Sequence, residues 1–208
     1  MILLSINKDI TSYNNHRYLN SLSLVSKQFL SITNRLRLSI TIYKQLKYSH
    51  IFERFTNLTS LNLNGNRNNL NLDNLLYRMS RFPLKQLTSL NISDQPTFPA
   101  NGLRAFSQKI TTLTSLTCSY IFSKSLNTSD LFLIAECFPL LEQLELSYSS
   151  GFPNLSSYVD GVEALSHALI KLRKINISGF PINDQSLFHL FNNCKYLEDV
   201  IMYRKSID

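Results

Sequence analysis

One pattern occurs six times along this chain: Leu, two residues, Leu, one residue, Leu, with Ile, Val, Cys or Met at some of the places. The copies are Leu58, Leu61, Leu63; Leu87, Leu90, Ile92; Leu113, Leu116, Cys118; Leu141, Leu144, Leu146; Leu172, Ile175, Ile177; and Leu197, Val200, Met202. Their starts lie 29, 26, 28, 31 and 25 residues apart. The last two apolar positions of each copy are two residues apart, so both point to one side of a short strand, while the first turns the chain inward. A single strand of this kind buries nothing by itself. Stacked in parallel, the copies pair their backbone groups and merge their leucines into one continuous core.

Between the strands the apolar spacing becomes helical, at Leu72, Leu75, Leu76 and Met79, at Leu131, Ile134, Ala135 and Phe138, and at Leu187, Leu190, Phe191 and Cys194. Asp130 and Asp184 stand just ahead of the second and third runs, where a cap or first-turn acid satisfies free amides. Strand then helix, repeated at this period, predicts an α/β leucine-rich-repeat solenoid with parallel strands on a concave face and helices on the convex one. The chain resembles the intracellular leucine-rich repeats whose helices end in a Cys shortly before the strand. Cys194, three residues before Leu197, matches that form; Cys137 is one residue off, and Cys118 replaces a strand leucine. All three read as small packed hydrophobes.

With 208 residues and 44% hydrophobic content, the chain can bury a core for one extended domain or two small ones. Its apolar runs fall short of the roughly 18 residues that a membrane-spanning helix needs. Residues 1–10 offer only Ile2, Leu3 and Leu4 together, too little for a secretory signal, so an intracellular protein is expected. Three cysteines without CxxC or Cys/His spacing imply neither a disulfide framework nor a metal site. The five Asn-x-Ser/Thr sequences, at Asn57, Asn91, Asn127, Asn154 and Asn176, are about as many as chance gives in so Asn- and Ser-rich a chain. His16, His50, His167 and His189 fall in unrelated elements, phosphate-binding Gly-rich loops are absent, and Gly65 and Gly179 read as turns after strands. No enzyme activity and no cofactor are expected.

The net charge of +7 is uneven. Residues 1–54 carry eight Lys or Arg against Asp9 and Glu53, whereas 55–208 carry thirteen against twelve acids. The basic residues Arg17, Lys27, Arg35, Arg37, Lys44 and Lys47 read as a solvated face, with attraction to an acidic partner, or nucleic acid, as the sharper alternatives.

In that segment Leu22, Val25, Phe29, Ile32 and Leu36 are spaced as one face of an amphipathic helix. Residues 22–29 resemble the second half of an F-box, in which a Leu and a Val precede a Lys two places on and an aromatic two further. Leu24, Val25, Lys27 and Phe29 occupy those places. The resemblance implies a partial F-box-like helical segment over residues 1–48, followed by about six leucine-rich repeats over 49–208. It implies docking to a Skp-type adaptor through Leu22, Leu24, Val25, Lys27 and Phe29, and membership of a cullin-based SCF ubiquitin ligase. The repeats would then hold a target protein for ubiquitin-dependent degradation, in the nucleus or cytoplasm. F-box proteins with repeats of this style are common in plants, which implies a plant source. The sequence departs from the family in lacking the LeuPro-led opening helix, since no proline precedes Pro83. The same apolar stripe also suits a helix capping the end of the solenoid, and a ubiquitin-independent scaffold or truncated F-box relative is the alternative reading.

The register names the residues that face outward from the strands. The first column is Ser60, Ser89, Ser115, Gln143, Lys174 and Asp199; the second Asn62, Asn91, Thr117, Glu145, Asn176 and Ile201; the third Asn64, Ser93, Ser119, Ser147, Ser178 and Tyr203. Candidate target-binding residues among them are Asn62, Asn64, Asn91, Thr117, Gln143, Glu145, Ser147, Lys174, Asn176 and Tyr203. Lys174 is the one basic residue in these columns, which argues against nucleic acid on this face. Tyr148, Phe152 and Tyr158 lie in the long fourth-to-fifth connection, as partner anchors or as packing on the rim. Six residues follow Met202, so the last strand is expected to expose an edge or to continue into further repeats.

Overall fold

The computed structural model describes residues 38–42, 52–53, 57–64, 71–121, 126–147, 158–180 and 182–203. Within them the chain alternates strand and helix. The strands are β1 (Leu38–Thr41), β2 (Leu58–Asn62), β3 (Ser89–Asn91), β4 (Ser115–Thr117), β5 (Gln143–Glu145), β6 (Lys174–Asn176) and β7 (Asp199–Ile201). The helices are α1 (Leu72–Met79) between β2 and β3, α2 (Ala100–Ser107), α3 (Thr128–Cys137), α4 (Tyr158–Ala168) and α5 (Asp184–Asn193), each preceding the next strand. All seven strands pair in parallel and in sequence order within one sheet. This is the leucine-rich-repeat solenoid that the spacing predicts.

The pairing sets Ile40, Leu61, Leu90, Leu116, Leu144, Ile175 and Val200 side by side. From Leu61 to Ile175 this row is 0% exposed. Each such side chain contributes about 1.5–3 kcal/mol through burial. Because the core is shared between neighbours, the row holds only as a stack. β1 adds a strand beyond the six repeats read from the sequence, and it lies within the stretch assigned there to the F-box-like segment. Ile40 and Ile42 are buried, and a register shift between Leu38 and Ser39 fits β1 to β2.

Asparagine starts three of the helices. Asn71 Oδ1 accepts the Asn74 N–H at 2.9 Å, and Asn183 Oδ1 accepts that of Ser186 at 2.9 Å. At α3 the bonds are reciprocal: Asn127 Oδ1 accepts from Asp130 N at 3.1 Å, and Asp130 Oδ2 accepts from Asn127 N at 2.9 Å. Asp130 is thus the far half of a capping box, and Asp184 is a first-turn acid behind Asn183. Helix α2 has Pro99 at its N-cap and no side-chain cap of its own. Its Gly102 N–H instead donates to Asp73 Oδ1 of α1 at 2.6 Å. A Cβ at position 102 would sit 2.6 Å from the Asp73 Cα, so only glycine lets the two helices approach this closely.

After each described turn of sheet the backbone enters the left-handed region, at Asp94 (φ 56°), Tyr120 (φ 57°) and Gly179 (φ 84°). Glycine takes this conformation freely, whereas a bulky Tyr stores about 1 kcal/mol of strain there. The ladder holds it in place: Asp94, Tyr120 and Gly179 donate their N–H groups to Ser119, Ser147 and Tyr203 carbonyls at 2.9, 3.0 and 2.9 Å. Cys194 is buried, its thiol 3.7 Å from the carbonyls of both Ser166 and Leu169. Among the described residues no helix is long and apolar enough to cross a membrane.

Candidate functional site

The sheet has one face sealed by helices and one open. On the open face the pairing aligns Ser60, Ser89, Ser115, Gln143, Lys174 and Asp199 in one column, and Asn62, Asn91, Thr117, Glu145, Asn176 and Ile201 in the next. Ser39 and Thr41 of β1 extend both columns. Gln143 and Asp199 are exposed and the other side chains of these two columns are half-buried; apart from Ile201 they form rows of polar groups reachable from solvent. In the third column Asn64, Ser147 and Ser178 are half-buried and Tyr203 is 72% exposed, but Ser93 and Ser119 are buried.

Three of the candidate asparagines do more than face outward. Asn62, Asn91 and Asn176 accept, through Oδ1, the N–H groups of Asn64, Ser93 and Ser178 at 2.9, 2.9 and 3.0 Å. Each side chain folds back to replace a backbone acceptor where the strand ends. This fixes the turn and leaves the amide –NH2 as the group offered to a partner. The sequence places these residues among the candidate target-binding positions and does not show that they also close the turn. The signal that marks the role is Asn at the last strand position with a short polar residue two places on.

The described electrostatics of the face are sparse. Lys174 Nζ lies 3.1 Å from Asp199 Oδ2, so its cation is compensated within the sheet. Below it Arg173 bonds Glu198, which raises the Arg173 pKa chiefly through that hydrogen bond. Glu145, central in the second column, is left among the described residues of the face as a charge without an ion pair. Gln95, fully buried behind the third column, donates through Nε2 to the Leu63 and Ser93 carbonyls at 2.7 and 3.0 Å, tying two turns together at the sheet's end.

The aromatic residues of the long connection divide. Tyr148 and Phe152 lie outside the described residues. Tyr158 is buried, not available as an anchor: its hydroxyl donates to the Leu126 carbonyl at 2.6 Å and its ring meets Phe180 edge-on at 5.5 Å. Packing onto the solenoid is therefore its role. The proposed adaptor contacts Leu22, Leu24, Val25, Lys27 and Phe29 also lie outside the described residues.

No family model matches the chain, and no curated protein does either. Among solved structures, it is similar to the leucine-rich repeat-containing protein LegL7 from Legionella pneumophila, at 14% identity and a TM-score of 0.46, over 95% of this chain and 73% of that one.

Proposed function

We propose that the chain is a protein-binding scaffold that holds a polypeptide on the open face of its sheet. The observation that carries this reading is the asymmetry of the strands: inward side chains from Leu61 to Ile175 are 0% exposed, while the outward polar columns stay reachable in unbroken register. Half-buried amides and hydroxyls at fixed spacing suit hydrogen bonds to peptide groups. Glu145 suits a donor or cation on the partner, and the shortage of positive charge disfavours a phosphate backbone. Binding, rather than chemistry, is the role this surface fits. Photo-crosslinking residues placed at Thr117 on the open face and at Lys109 on the exposed turn beyond α2 provide the test. A defined protein recovered from the first position and absent from the second is expected; recovery from both alike, or from neither, sinks the reading.

The finer role as the target-recognition subunit of an SCF-type ubiquitin ligase, in the nucleus or cytoplasm, is supported by the F-box resemblance of residues 22–29 alone. It predicts co-purification with a Skp-type adaptor, lost in a Val25→Ala, Phe29→Ala double variant whose circular dichroism is unchanged. No adaptor binding by the unaltered chain would leave the ubiquitin-independent scaffold as the reading.

A further inference from the structure

Three adjacent strands of the open face surround one uncompensated charge. Glu145 on β5 stands opposite Thr117 of β4 and Asn176 of β6, and all three side chains are half-buried. Asn176 Oδ1 is committed to the Ser178 N–H, which leaves its –NH2 as a donor. Among the described residues, no hydrogen bond or ion pair engages the Glu145 carboxylate. Lys174, the one cation of the two outward columns, already lies 3.1 Å from Asp199 Oδ2. With that pair cancelled, the columns keep a single negative charge, at Glu145, in a chain whose net charge is +7. A half-buried carboxylate that has lost part of its hydration and gained no partner is stabilised by a cation brought from outside.

We propose that Glu145 is the point at which the open face selects an arginine of the bound polypeptide, its guanidinium seated over β4, β5 and β6. The inference rests on the scaffold reading and names the side chain that the scaffold recognises. Arginine fits better than lysine on two grounds. Its planar fork donates two parallel N–H bonds to one carboxylate, and it is more weakly hydrated than an ammonium, so it enters a half-buried position more readily. Its remaining N–H groups have the Thr117 hydroxyl as an acceptor one strand spacing away, about 4.8 Å. Asn176 on the other side supplies donors for the partner's backbone carbonyls beside the arginine.

The test selects displayed random peptides of about eight residues on the whole chain, long enough at about 3.3 Å per residue to cross several strands. Selected peptides are expected to share an arginine at one fixed position. In the synthetic peptide, citrulline at that position, an uncharged isostere, should weaken binding at least fivefold, and lysine should weaken it less. Glu145→Gln should weaken the arginine peptide by the same factor and leave the citrulline peptide unaffected, with circular dichroism and melting unchanged. Glu136→Gln, which removes an acid paired with Arg104 on the helical side, should leave the preference intact. Selected peptides that share no arginine, no selected peptide at all, or an arginine preference that survives Glu145→Gln overturns the proposal. A protein captured at Thr117 alongside any of those results leaves the scaffold reading standing, whereas a Thr117 position that captures nothing removes that reading itself.

Discussion

Asn91 and Thr117 are register neighbours in one column and carry different burdens. The Asn91 amide closes a turn through the Ser93 N–H, whereas Thr117 has no such bond. Asn91→Ala should therefore lower unfolding free energy by about 0.5–1.5 kcal/mol in urea titration. Thr117→Ala should change it by less than about 0.5 kcal/mol, as a surface change does. The two positions look alike in sequence, because each is the last residue of a strand with a Ser two places on, and only the Asn side chain supplies the acceptor. Asp130 offers a second test. Burial raises its pKa above 3.8, partly opposed by its bond to the Asn127 backbone. Below about pH 3.8 the acid is protonated in folded and unfolded chains and contributes no pH dependence. As pH rises through the folded value the unfolded chain releases its proton more readily, so stability falls across that window. Asp130→Asn removes the titration: the stability of the unaltered chain relative to this variant should drop from about pH 4 upward and then level off, measured by thermal melts at each pH.

The elements were unevenly legible. Six strands announce themselves because leucines at fixed spacing must share a core. β1 does not, since Leu38-Ser39-Ile40-Thr41 alternates without the repeat's leading Leu and follows directly on a helical stripe. α1, α3 and α5 stood out by their apolar spacing. Helix α2 shows just Leu103 and Phe106 on its apolar side and borrows its cap from Asp73 of α1, a bond that no local sequence signal records. α4 interrupts its pattern with Gly161, ordinarily a helix breaker. The two helical glycines should respond differently to alanine. At Gly102 the new methyl meets Asp73 backbone at 2.6 and 2.8 Å and cannot be accommodated without moving α1, so Gly102→Ala should cost about 1–3 kcal/mol. At Gly161 the nearest obstacle, at 2.7 Å, is the Leu131 Cδ1, which can rotate, with the fixed Leu131 Cβ at 3.1 Å, and alanine's helix preference of about 1 kcal/mol offsets part of the crowding. Gly161→Ala should thus be within about 1 kcal/mol of the unaltered chain in the same titration.

Across the whole molecule, packing is graded from the middle of the sheet to its β7 end. Leu144 is enclosed on both sides, and Leu144→Ala should lose about 2–5 kcal/mol. Val200 is half-buried, and Val200→Ala should lose about 1 kcal/mol or less. Equal losses would mean that the stack is not the source of cohesion. Every described strand pairs only with the described strands before and after it in sequence, so no pairing among them depends on a distant part of the chain. Such a gene can gain or shed a complete turn by unequal recombination, and the sheet then lengthens or shortens by one strand spacing, about 4.8 Å, while every surviving pairing keeps its register. Reach along a partner is thereby an inheritable quantity that evolution can adjust in whole steps.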